Sequence, residues 1–289
     1  SEIKFIDFDE KKQNIYLIND SNIITCFNIL NGQYVLNYSF PDQVKSLSVN
    51  PTNNLIAVAF QSKVCIYGNL KNNCNLYSDL QVEDSIIKWS IKGDFLVVAG
   101  KNKATKNMYC VYFVESEAFE TIDVIENINS KIVEIKLIDN DKYLFLRLST
   151  SFIAGMYLNL YNNSNALVEI AGKAISSNYF KLIFSSNIKN AKITSFDYDP
   201  ILKIVIAVDP TNQTLHIIGT KNEKKIKSQY HSNLTQIKLI KELNILIGGD
   251  NSGIVQIFSW PFKNWETSIK TGNIYDYLLS SLNQDLGLI

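Results

Sequence analysis

The sequence predicts an all-β fold: a seven-bladed β-propeller with four-stranded antiparallel blades, the last blade incomplete in this chain. Three observations predict it. Short runs alternate apolar and polar residues and are bounded by Asn, Asp, Gly or Pro, which is the signature of strands and turns. The runs come in groups of four, and the groups recur near every 41 residues, the spacing of propeller blades. Helix signals are nearly absent.

The elements follow in order. The first copy reads as strands at 3–8, 14–18, 23–27 and 34–38. The second has strands at 44–49, 55–60 and 64–67, and the third opens at 85–90. The sixth has strands at 234–240, 244–248 and 254–258, with a weak polar fourth at 266–270. First strands begin near Ile3, Val44, Ser85, Lys131, Ile193, Leu234 and Ile274, so the gaps are 41, 41, 46, 62, 41 and 40 residues. One four-stranded sheet cannot bury both faces, so each copy must stack on its neighbours. The whole of 1–289 is expected to form one propeller.

The long gap holds about 20 extra residues within 162–190. An outer strand is expected at 179–184, with a loop or small hairpin before it. The extra residues read either as a tolerated surface insertion or as a partner-binding flap. The stretch 274–289 supplies a first strand and the start of a second. The chain therefore reads as part of a longer one, with the rest of blade seven beyond Ile289 and an open edge inviting a partner.

Composition narrows the function. Basic and acidic residues balance at 28 each, so no net field draws the chain to nucleic acid or an anionic membrane. Arg147 is the single arginine, which leaves little for bidentate phosphate or base readout. No apolar run approaches the length of a membrane-spanning helix. Cys26, Cys65, Cys74 and Cys110 lack zinc spacing and read as reduced, buried thiols. No nucleophile elbow, zinc-protease motif, phosphate loop or dinucleotide turn is present.

The remaining polar residues read as structural. His216 sits in a strand as a packed or edge histidine, and His231 as a surface or loop histidine. Glu83 and Asp84 are expected in a loop between blades, and Asp7, Asp9 and Glu10 cluster at the end of the first strand and read as a solvated turn. Lys101 and Lys103, like Lys221, Lys224 and Lys225, read as solvated turns. No catalytic, metal-binding or cofactor-binding residue is assigned, and no cofactor is expected. Trp260, Phe262 and Trp265 place three large aromatics within six residues. They read either as a partner-binding anchor, since interfaces favour such residues, or as packing between blades with Pro261 fixing a turn.

The copies resemble WD repeats. Gly253 holds the turn-glycine position, and Phe258-Ser259 stand where Trp-Asp would be. Phe27-Asn28 and Tyr67-Gly68 take that place in the first two copies. The aromatic is expected to pack between blades, whereas the acid is lost. The buried Asp-His-Ser-Trp network of the family has no counterpart around His231. The C-terminal end, with the Gly-rich turn at 248–253 and the step Trp260-Pro261-Phe262, resembles the closing blades of the WD-repeat cilia- and flagella-associated proteins. Gly272-Asn273-Ile274 departs from the family's entry into the next blade.

That resemblance implies a non-catalytic protein-interaction scaffold of the ciliary or flagellar axoneme, one that helps dock or regulate dynein complexes. Its partners would be other proteins of a large complex, with no nucleic acid and no membrane insertion. A cytoplasmic WD-repeat scaffold of a trafficking or RNA-processing complex is the alternative, and a propeller-type hydrolase the third reading.

Overall fold

The computed structural model describes residues 2–9, 11–70, 74–77, 80, 82–102, 108–158, 166–170, 173–177, 180–188, 190–219, 223–226 and 234–261. The chain forms two compact units, Ser1–Ser186 and Asn187–Ile289.

The first unit carries four antiparallel meanders. Blade 1 is β1 (Ile3–Asp9), β2 (Asn14–Asn19), β3 (Ile23–Asn28) and β4 (Tyr34–Ser39), hydrogen-bonded in that order. Blade 2 is β5 (Ser46–Val49), β6 (Ile56–Ala59), β7 (Val64–Asn69) and β8 (Cys74–Tyr77). Blade 3 is β9 (Val82–Trp89), β10 (Phe95–Asn102), β11 (Tyr109–Glu115) and β12 (Thr121–Ile128). Blade 4 begins with β13 (Ile132–Ile138), β14 (Tyr143–Leu148) and β15 (Phe152–Leu158). The chain then makes a separate hairpin, β16 (Ala166–Ile170) and β17 (Lys173–Ser177), before β18 (Phe180–Asn187) completes the blade beside β15. The extra residues of the long gap are thus a hairpin, and β17 lies next to β12 of the preceding blade.

The second unit repeats the pattern. Blade 5 is β19 (Ser195–Asp199), β20 (Ile204–Asp209), β21 (Thr214–Gly219) and β22 (Glu223–Ile226). Blade 6 has β23 (Leu234–Ile240), β24 (Ile245–Asp250) and β25 (Val255–Ser259) among the described residues. Its expected fourth strand and the whole of the seventh blade lie outside the described residues.

The strand sequences follow from burial. In blades 2 and 3 the second strand is sandwiched on both faces, so β6 (Ile-Ala-Val-Ala) and the first six residues of β10 are buried throughout. Outer strands meet solvent, and β4 is mostly exposed. Apolar clusters fill the gaps between successive sheets. Tyr16, Ile18 and Ile24 of blade 1 pack on Leu47, Val58 and Tyr67 of blade 2. Val97, Phe113 and Ile125 of blade 3 meet Ile132, Leu144 and Leu146 of blade 4. In the second unit, Ile206 and Ile217 of blade 5 meet Leu239, Leu246 and Phe258 of blade 6. Each buried aliphatic or aromatic side chain contributes about 1.5–3 kcal/mol, so this stacking supplies most of the stability.

Two expectations about acidic residues are corrected. Glu83 and Asp84 lie inside β9, where its pairing with β10 shifts register, not in a loop. The bulge accommodates Asp84 at a positive φ, and its carboxylate pairs with Lys131. Asp7 and Asp9 lie at the end of β1 as expected, but not in a solvated turn: Asp7 is half-buried, Asp9 is buried with its Oδ1 accepting from the Lys12 N–H at 3.1 Å, and Glu10 lies outside the described residues.

Candidate functional site

First strands are tied to one another by polar side chains at the repeat spacing. Asp7 Oδ2 accepts from the Val49 N–H at 2.7 Å, joining blades 1 and 2. Ser46 and Ser48 hydroxyls accept from the N–H groups of Ile87 and Trp89, joining blades 2 and 3. In the second unit, the Ser195 hydroxyl accepts from the Ile237 N–H and Asp197 Oδ2 accepts from the Leu239 N–H at 2.8 Å. Partners are 41 or 42 residues apart in every case, so the period seen in the sequence is also the period of the bonding. First strands of neighbouring blades do not pair as a sheet, so their N–H groups need side-chain acceptors.

Other carboxylates serve the same end. Asp141 accepts from the Ile91 and Lys92 N–H groups at 2.8 and 3.0 Å, linking blades 3 and 4. Burial pushes its carboxyl above the ordinary range, and the two amide bonds only partly oppose this. Lys88 reaches past blade 2 to Asp7 Oδ1 at 3.1 Å. Arg147 donates to Glu134 Oε2 at 2.8 Å, and Lys136 lies 3.6 Å from the other oxygen of that carboxylate. The single arginine is therefore engaged within blade 4.

Of the three clustered aromatics, Trp260 is the one among the described residues. It is only 4% exposed and belongs to the core between blades 5 and 6. Its indole N–H donates to Asp199 Oδ2 at 2.7 Å, and Asp199 Oδ1 accepts from the Ile201 and Leu202 N–H groups. One buried carboxylate thus fixes a turn of blade 5 and anchors the end of blade 6. Phe262 and Trp265 lie outside the described residues. The Asp199–Trp260 bond spans 61 residues, and no local pattern in the sequence pointed to it.

The aromatic expected between blades is found where a preceding blade packs. Phe258 and Tyr67 are buried against blades 5 and 1 respectively. Phe27 is not in a core cluster; it meets Tyr34 edge-on with centroids 6.4 Å apart. This is the face of blade 1 turned away from blade 2. It also carries Ile6, 66% exposed, and Phe8. In blade 6 the face away from blade 5 carries Val255 and Ile257, both exposed.

His216 is buried in β21 opposite Ala207, as a packed histidine; His231 lies outside the described residues. Cys26, Cys65 and Cys110 are buried, and burial pushes the thiols of Cys26 and Cys110 up. The side chain of Cys74 is not among those described. Among the described residues no cluster of three His, Cys, Asp or Glu is placed to hold a metal ion, and no helix is long and apolar enough to cross a membrane.

No protein-family model matches the chain, and no curated protein sequence does. Solved structures do. The β-propeller domain of Myceliophteria thermophila Cps50 (Swd1) superposes with a TM-score of 0.68 at 12% identity, covering 89% of this chain and 83% of that one. The computationally designed Ika8 protein matches with a TM-score of 0.61 at 13% identity, covering 90% and 71%. Identity this low speaks to the fold alone. Together with the successive antiparallel meanders, it defines the class: the chain has a WD-like β-propeller fold.

Proposed function

We propose that this protein is a non-catalytic protein-interaction scaffold, an axonemal component of cilia or flagella that helps dock or regulate dynein complexes. One observation carries the non-catalytic part. Carboxylates that would be candidates for acid–base chemistry are committed to holding blades together: Asp7, Asp141, Asp197 and Asp199 each accept backbone N–H groups or an indole N–H. The meanders then offer their outer strands and connecting loops to partners.

Support for the axonemal part is the resemblance of the closing stretch, from the turn at Gly253 to Trp260-Pro261-Phe262, to the WD-repeat cilia- and flagella-associated proteins. The test is localisation of the tagged full-length protein in ciliated cells, with detergent extraction. An extraction-resistant axonemal signal is expected. A vesicular or nuclear pattern with empty cilia refutes the axonemal assignment and favours trafficking or RNA processing. Hydrolytic activity abolished by substitution of a carboxylate refutes the non-catalytic reading.

A further inference from the structure

We infer that β4, the outer edge of blade 1, is a docking edge for an extended, uncharged peptide segment of a partner protein, which adds to the blade as a fifth strand. This deepens the scaffold reading and rests on it.

The outermost strands of the four-stranded sheets differ in how they are protected. Exposed edges invite strand addition, and proteins blunt them with charge or shortness. β12 carries Asp123 and Glu126 and lies beside β17. β18 carries Lys181. β8 has four residues, and β22 has four with three of them charged. β4 has six residues, Tyr-Val-Leu-Asn-Tyr-Ser, with no charge, proline or glycine. A groove of about 480 Å³ runs along it, lined by Tyr34, Val35, Leu36, Asn37 and Tyr38.

The pairing with β3 shows which main-chain groups are offered. The Phe40 N–H donates to the Asn22 carbonyl, so the bonded partners going back along β4 are Tyr38 with Ile24 and Leu36 with Cys26. Asn37 and Ser39 alternate with these, and both are exposed. Their N–H and C=O groups point away from the sheet. The register shift next to Cys26 falls at Val35, near the start of the strand.

Size and charge choose the occupant. Six residues span about 20 Å, and one sheet is about 10 Å thick. That edge offers roughly 200 Å², against about 800 Å² per partner in a stable complex of two folded bodies. A second copy held by this edge alone falls short. A single extended segment does not, because main-chain bonds supply its affinity and alternate side chains its specificity.

The residue opposite Tyr38 would lie beside the aromatic group of Tyr38, Phe40 and Tyr67, whose ring centroids are 5.1 and 5.8 Å apart in sequence. An aliphatic or aromatic side chain fits there. Residues opposite Asn37 and Ser39 would be small and polar. The edge carries no charge to pair with a charged segment.

The test pans a phage-displayed library of random twelve-residue peptides against the full chain, and measures selected peptides by fluorescence anisotropy. Uncharged peptides with polar–apolar alternation are expected, and they should slow hydrogen exchange at Asn37 and Ser39. Asn37→Pro removes one outward N–H without touching the pairing to β3. It should weaken binding at least tenfold while the melting temperature stays within about 2 °C. Ser39→Lys, which adds charge to the same edge, should do likewise, and it carries the test should Asn37→Pro not fold.

Peptide binding unchanged by both variants overturns the edge proposal and leaves the scaffold reading intact. Failure to enrich peptides, alongside partners found by proximity labelling in cells, does the same. Absence of both peptides and partners sinks the two together. A dimer of this chain that Asn37→Pro dissolves overturns the peptide occupant.

Discussion

Replacing Trp260 with Phe isolates the buried bond between blades 5 and 6. The indole is 4% exposed and donates at 2.7 Å to Asp199 Oδ2, on a carboxylate that is itself buried. A hydrogen bond to a charged group contributes about 1.5–3 kcal/mol, and an orphaned buried acceptor is costly. The smaller ring adds about 1 kcal/mol of lost burial. Trp260→Phe should therefore cost about 2.5–4 kcal/mol.

A double-mutant cycle separates the two parts. In an Asp199→Ala background the bond is already gone, so Trp260→Phe should cost only about 1 kcal/mol. The coupling between the sites is then about 1.5–3 kcal/mol. The assay is urea unfolding followed by circular dichroism on all four proteins. Equal costs of Trp260→Phe in the two backgrounds would refute the bond. A cost below about 0.5 kcal/mol in the parent chain would show that Trp260 behaves as a surface residue, and would revive it as a partner anchor.

The other predictions concern the rest of the scaffold. Gly155→Ala points a methyl into the Phe145 ring, which is fully buried; overpacking should cost about 1–3 kcal/mol in urea unfolding, and a neutral variant would show that the ring has room to move. Asp7→Ala strips the acceptor from the Val49 N–H and should cost about 1–3 kcal/mol. Lys88→Ala should cost under 1 kcal/mol, because the lysine is 44% exposed and solvent screens the pair; the reverse order would overturn that ranking. With their thiols pushed up by burial, Cys26 and Cys110 should resist Ellman's reagent in the native protein and react once it is unfolded. Fast native labelling of either would contradict their placement.

The Asp141 prediction turns on pH. Burial raises its native pKa above the ordinary 3.8, so the folded chain holds this proton more tightly than the unfolded one. The contribution of this group to stability therefore falls as pH rises through that interval and is flat above it. Relative to Asp141→Asn, the parent chain should lose ground as pH rises above about 3.8 and level off once the folded carboxyl has ionised. A parent chain that gains on the variant over this range would reverse the sign and refute the burial argument.

Particular residues show how far the sequence could be read. The first strand of blade 6 begins at Leu234 in both the sequence and the structure, because alternation and flanking turns are local properties. β9 begins at Val82 rather than Ser85, because a bulge carried the strand through two acidic residues that read as loop. Asp7 and Asp9 read as solvated for the same reason: the sequence does not distinguish a carboxylate facing water from one facing an N–H group. The aromatic at the turn strand was legible in blades 2 and 6, where Tyr67 and Phe258 have a preceding blade to pack on.

By itself the amino-acid order determined the strand quartets, their spacing near 41 residues and hence the class of fold, since each follows from short-range alternation and from sheets that cannot bury both faces alone. Tertiary structure decided which polar groups do work. Asp199 met Trp260, Asp141 met the amides of Ile91 and Lys92, and among the described residues no strand pairs with the outer side of β4. Those outcomes depend on which blade stacks on which and at what height, and partners 49 to 61 residues apart leave no periodic mark in the chain.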